Sequence, residues 1–192
     1  MELIGISSRS DLPVIRFDKT SRIGIVGVAG SGKSTLAKLL AAKYELEHVE
    51  LDSLFINANW VESDFYDFRK KVSNRLEKLD GYIVDGNYKN ISDLTWEKCT
   101  TIIWLNYKRR LIIKRVFFRT LKRVFTKEVL WNGNIETFKK AFMSKESILL
   151  WSWNTYNRRK NEFNKLIDQY SKRDIRFIVI NNPNLIRKVF SF

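Results

Sequence analysis

The chain reads as a one-domain α/β protein, with a parallel sheet covered on both faces by helices. Three observations predict this. Short apolar runs bounded by Gly, Asp and Asn alternate with longer stretches of helical periodicity. The glycine loop Gly27-Val28-Ala29-Gly30-Ser31-Gly32-Lys33-Ser34-Thr35 lies between an apolar run at 22–26 and a helical stretch at 36–43. Asp52, Asp85, Asn106 and Asn181 stand at the ends of apolar runs, where an open parallel sheet gathers its polar site.

Taken in order, residues 3–6 and 14–17 are expected to pair as an N-terminal hairpin extension within 1–20, with Ser7, Ser8, Asp11 and Pro13 as turn chemistry. The first sheet strand is 22–26, and 47–51 is the second, ending at Asp52. A helix over 63–79 aligns Phe65, Phe68, Val72, Leu76 and Leu79 on one face. Asp80-Gly81 turns into a third strand, 82–84, ending at Asp85, and 100–105 is the fourth. A basic helix over 107–125, a loop at 131–134, and helices over 135–150 and 153–170 follow. The fifth strand is 175–180, and Pro183 opens a short final helix.

Composition bounds the chemistry. With 192 residues, 44% of them hydrophobic, the chain can bury a sizeable core. No apolar run approaches the roughly 18 residues of a membrane span, and the first residues lack a signal-peptide pattern. A single cysteine, Cys99, rules out an internal disulfide and suits a reducing compartment, so a cytoplasmic location is expected. Since His48 is the lone histidine, a His/Cys metal site is excluded. The net charge of +14 is lopsided: residues 1–106 carry 14 Lys/Arg and 15 Asp/Glu, residues 107–192 carry 21 and 6. Such asymmetry points to a polyanionic partner.

The glycine loop matches G-x-x-x-x-G-K-[ST], in the strand–loop–helix context that the motif needs. Glycines let backbone N–H groups converge on phosphate oxygens, and the following helix N-terminus adds partial positive charge. Gly27, Ala29, Gly30, Ser31, Gly32, Lys33, Ser34 and Thr35 are therefore the candidate ATP-binding residues. Lys33 would reach the β/γ-phosphates and the Ser34 hydroxyl would bind Mg²⁺. No Asn-Lys-x-Asp guanine signature is present, and Asp85 is followed by Gly86 where ATPase motors carry a second acid.

Asp85 is the second Mg²⁺ candidate, although Asp-Gly equally suits a plain turn. Asp52 is placed to orient or deprotonate an acceptor hydroxyl, or else to cap the turn that follows it. Residues 107–127 hold nine Lys/Arg and no acid, and Arg115, Arg119 and Arg123 share one helical face. Three unpaired guanidiniums in a row call for an anion, which a transferring phosphoryl group supplies, so Arg115 and Arg119 join Lys33 and Asp52 as catalytic candidates. The same run also suits a solvated basic face, a nucleic-acid surface within 107–192, or attachment to an anionic membrane. Trp131, Trp151, Trp153 and Tyr156 suit either stacking on a ligand ring or core packing.

These motifs, with Leu51-Asp52-Ser53-Leu54-Phe55, Asn59-Trp60, Val84-Asp85-Gly86-Asn87-Tyr88, Leu130-Trp131-Asn132-Gly133-Asn134 and Trp151-Ser152-Trp153, resemble the adenylate-kinase-like P-loop proteins of the DNA topology modulation type. The resemblance implies a nucleoside-monophosphate-kinase fold: three α/β/α layers, five parallel strands in the order 2-3-1-4-5, and a helical lid over about 115–135. It also implies ATP and Mg²⁺ as cofactors and matches Asp85 and the Arg115/Arg119 region to the family's acidic residue and lid. Adenylate kinases follow Asp-Gly with an aromatic and Pro-Arg, whereas this chain has Asn87-Tyr88-Lys89, which leaves the acceptor open. The expectation is an ATP- and Mg²⁺-dependent phosphotransferase acting on a nucleotide, nucleoside or similar small acceptor. The acceptor would enter between Asp52, Asn87 and Trp60, and adenine would lie near the 180–183 turn. The alternative is a nucleic-acid-binding P-loop NTPase, or a polynucleotide kinase, that uses the basic half.

Overall fold

The computed structural model describes residues 2–7, 12–138, 148–170 and 173–192. Its centre is a sheet of six parallel strands: β1 (Glu2–Ile6), β2 (Arg22–Val26), β3 (Glu47–Glu50), β4 (Tyr82–Asp85), β5 (Thr101–Leu105) and β6 (Arg176–Ile180). Their spatial order is β1-β6-β5-β2-β4-β3. Every residue of β4 and β5 is buried. Successive side chains of a strand point to opposite faces, so both faces of the sheet are covered.

The sheet therefore has six strands where five were expected. Without β1, the remaining run β6-β5-β2-β4-β3 has the expected 2-3-1-4-5 order. The expected N-terminal hairpin is absent. Residues 12–17 form no strand, and β1 instead runs parallel to β6, pairing Glu2 with Arg176 through to Ile6 with Ile180. Ile15 N donates to Val189 O, so the segment after β1 is held by the C-terminal residues, not by β1.

The described α-helices are α1 (Lys33–Tyr44), α2 (Leu51–Phe55), α3 (Phe65–Leu76), α4 (Arg109–Thr126) and α5 (Ile148–Tyr170) between strands, and α6 (Ile186–Val189) after β6. α3 starts at Phe65, two residues later than expected, because the Asp64 carboxylate caps it by accepting from Tyr66 N (2.8 Å). Phe68, Val72 and Leu76 form its buried stripe, and Ile112, Val116 and Thr120 form that of α4. α5 is unbroken from Ile148, so the expected break near Ser152 is absent, and residues 135–137 are not helical. The rest of the expected 135–150 helix lies largely outside the described residues. Phe163 of α5 packs on Trp104 of β5, with ring centroids 5.6 Å apart. Cys99 is buried, and desolvation pushes its thiol up to about 12. Among the described residues, no helix is long and apolar enough to cross a membrane.

Candidate active site

The glycine loop leaves the C-terminal end of the central strand β2 and turns into α1. Gly32 adopts a left-handed conformation (φ 94°) immediately before the helix, leaving the first N–H groups of α1 free of intrahelical partners. Gly30 (φ 81°) lies so close to α4 that a Cβ there would sit 2.4 Å from Val116 Cγ2. Two side chains hold the Gly27 peptide. Asn87 donates from Nδ2 to Gly27 O (2.7 Å) and accepts from Gly27 N at Oδ1 (3.3 Å). Lys33 Nζ donates to the same carbonyl (3.0 Å). Burial pushes the Lys33 pKa down, while Asp52 and Asp85 nearby pull it back toward the charged form.

The two carboxylates expected at strand ends differ in setting. Asp85 closes β4 as expected and is 2% exposed. Its Oδ1 lies 3.4 Å from His48 Nε2, and its buried Oδ2 has no hydrogen-bond partner among the described residues. Asp52 does not end a strand: β3 stops at Glu50, and Asp52 lies in the first turn of α2. Nor does it cap that turn, because its Oδ1 accepts from the Tyr88 hydroxyl (2.7 Å). Burial, reinforced by the Asp52 charge, raises the Tyr88 pKa and keeps this hydroxyl a donor.

The three arginines of one α4 face have three different settings. Arg115 Nη1 donates to Ser31 O (3.2 Å), bracing the loop, and its guanidinium lies 5.3 Å from the Tyr107 ring centre. Arg123 is held by Glu128 (3.5 Å) and Glu136 (3.7 Å). Of these three, Arg119 alone has no hydrogen bond or ion pair to the described residues; its buried Nε faces the cleft, and burial lowers its pKa. The premise of three unpaired guanidiniums thus survives at one position. Glu128 and Glu136 follow the acid-free run in sequence and fold back onto it.

Two tight turns, 57–62 and 129–135, dock on each other. Trp60 N donates to Asn134 Oδ1 (2.8 Å), Asn134 Nδ2 donates to Asn57 O (2.8 Å), and Asn132 Nδ2 donates to Ile56 O (2.5 Å). The Trp-Asn-Gly-Asn segment therefore ties the α4 side of the molecule to the α2 side across the site, bringing Trp60 and Trp131 into one lining.

Together these parts enclose a cleft of about 1180 Å³. Ala29, Gly30, Ser31, Gly32, Lys33, Ser34, Thr35, Asp52, Asp85, Arg115 and Arg119 all line it; Gly27 lies behind the lining, held by Asn87 and Lys33. Pro183, Asn184, Ile186 and Arg187 line it as well, whereas Asn106 and Asn181 bond to each other (2.8 Å) outside it. The expected aromatic set splits. Trp131 lines the cleft, but Trp153 lies under the Arg109 guanidinium (3.6 Å) and the Tyr156 hydroxyl donates to Tyr107 O (2.7 Å). The Trp151 side chain lies outside the described residues. Glu62, Tyr88, Glu136 and Arg187 were not singled out from sequence, and only Tyr88 carried a signal, as the last residue of Asp-Gly-Asn-Tyr.

No group of three or more His, Cys, Asp or Glu forms a metal cage among the described residues. The unsatisfied Asp85 Oδ2 and the Ser34 hydroxyl nevertheless line the same cleft. That sparse oxygen donor set fits Mg²⁺, which keeps most of its shell as water and substrate phosphate.

No family model matches the chain. It is similar to the adenylate kinases of Mesomycoplasma hyopneumoniae strains 7448, J and 232, each 28% identical over 50% of this chain and 56% of the relative. The chain thus spans about half the length of the curated relatives it matches. Among solved structures it is similar to a gluconokinase from Sinorhizobium meliloti 1021, with TM-score 0.53, 15% identity, and coverage of 91% of this chain and 90% of that one. The fold is thus an α/β fold with a parallel sheet and helices like that of this gluconokinase.

Proposed function

We propose that the chain is an ATP- and Mg²⁺-dependent phosphotransferase acting on a small hydroxyl acceptor. The observation that carries this reading is the convergence of Lys33, the unpaired Arg119 and Asp52 in one cleft beside the glycine loop. The resemblance to adenylate kinases and to a gluconokinase fold supports the same reaction class.

ATP phosphates lie along residues 27–35, cradled by loop N–H groups and the α1 N-terminus. The adenine lies toward Pro183 and Ile186, the apolar part of the lining at the β6 end. Ser34 Oγ and Asp85 would hold Mg²⁺, which would supply neutralisation of charge on the β- and γ-phosphates. Lys33 and Arg119 take up the charge that spreads over the equatorial oxygens during transfer. Asp52, fixed by the Tyr88 hydroxyl, accepts the proton of the acceptor hydroxyl. The acceptor oxygen bonds to the γ-phosphorus as the bond to the β–γ bridging oxygen breaks, and ADP leaves. Residues 115–135, tied down through Asn132 and Asn134, act as a lid that excludes water.

Transfer of labelled γ-phosphate tests the reading. Lys33→Ala is expected to abolish transfer, and Asp52→Asn to lower kcat by about 10²–10⁴-fold, the range of a general base. Slow hydrolysis at equal rates in the parent and both variants, without transfer, would count against it.

A further inference from the structure

We propose that the acceptor is an uncharged or cationic ring bearing hydroxyl groups, a nucleoside or sugar and not its phosphate ester. This rests on the phosphotransfer reading above and specifies the acceptor class. From Glu50 to Tyr88, the cleft lining contains Glu50, Asp52, Glu62 and Asp85 and no lysine or arginine. Three cations of that stretch are used elsewhere. Arg69 forms two hydrogen bonds to the Asp93 carboxylate (2.8 and 2.6 Å), Lys71 bonds Ser63 Oγ (3.1 Å), and Arg75 pairs with Glu47.

Among the described residues, the facing α4 wall lines the cleft with Arg115, Arg119 and Arg123. Arg123 is already neutralised by Glu128 and Glu136, and Glu136 Oε2 is itself buried without a hydrogen bond. Of the other arginines in the lining, Arg115 braces Ser31 O, Arg159 pairs with Glu162 (3.0 Å) and Arg187 lies at the β6 end. Arg119, with Arg159, acts on Lys33, and its charge lies where the transferred phosphoryl group passes. An acceptor carrying its own phosphate or carboxylate would bring a second anion against these carboxylates, with no cation on the 50–88 lining to pair it.

The same lining suits a hydroxylated ring. Trp60, Trp131 and Tyr88 offer aromatic faces to a base or to the apolar face of a sugar, and ionised carboxylates accept hydrogen bonds from hydroxyls. The docked turns hold Trp60 and Trp131 in register before the acceptor arrives.

Matched acceptors test the inference: adenosine against AMP, thymidine against its 5′-monophosphate, and glucose against glucose 6-phosphate and gluconate. The expected result is a kcat/KM at least about tenfold higher for the free nucleoside or the free sugar than for its anionic partner. The nucleoside and sugar arms tell the two sources apart. Glu136→Gln, which releases Arg123, is expected to narrow that ratio by raising the anionic partner, a change that a merely structural role would not produce. Monophosphates used as well as or better than the free compounds would overturn the inference and leave the kinase reading standing. No transfer to any acceptor, with ATP turnover unchanged in Lys33→Ala, would overturn both.

Discussion

Asn87 bonds both polar atoms of the Gly27 peptide, so it fixes the start of the loop from the neighbouring strand end. It was expected beside the acceptor, and its part in holding the loop could not be read from sequence, because 60 residues separate the two. Asn87→Ala removes two hydrogen bonds worth about 1 kcal/mol each, while Lys33 still serves the carbonyl. ATP affinity is expected to fall about tenfold by calorimetric titration. Asn87→Asp should do worse, because it sets a carboxylate against the Gly27 carbonyl. Tyr88→Phe removes the donor that orients Asp52. It is expected to lower kcat several-fold in steady-state kinetics and leave the KM for ATP unchanged.

At the scale of elements, α4 governs the site because one of its faces does several jobs. Its buried stripe includes Val116, which fills the space a side chain at position 30 would need. Gly30→Ala combines that overlap with a left-handed φ, and is expected to cost about 1–3 kcal/mol in urea unfolding. Adding Val116→Ala should recover part of the loss, since the two positions share one contact. The helical spacing of Arg115, Arg119 and Arg123 was legible, because i, i+4 periodicity is local. Their partners were not, because Ser31 and Glu136 reach the helix only through the fold. Arg119→Ala is expected to lower kcat by about 10²–10³-fold. Arg123→Ala should lower it less, because that guanidinium is already paired; steady-state kinetics of the two variants checks the contrast.

Across the whole molecule, the core strands β2, β4 and β5 were readable as short apolar runs closed by turn residues, and so was the loop they position. β1 was legible as a strand at 3–6, but its place in the sheet was not, since its partner in β6 lies more than 170 residues away and local turn chemistry suggested a hairpin instead. Asp52 fell in a helix because α2 starts at Leu51, directly after β3 ends at Glu50, with no turn residue between them to mark the change. β1 buries Ile6 and pairs with β6 along its whole length. Deleting residues 1–7 is therefore expected to lower thermal stability by about 2 kcal/mol or more, read from the melting midpoint. The central claim is that this sheet gathers, at one set of strand ends, the groups that move a phosphoryl group from ATP to a hydroxyl. Following ATP and Mg²⁺ with a nucleoside or sugar acceptor by ³¹P NMR tests it most directly. The account predicts that the γ-phosphate signal is replaced by a phosphoester signal on the acceptor, and that Lys33→Ala yields none. Inorganic phosphate alone, appearing at the same rate in both proteins, would contradict it.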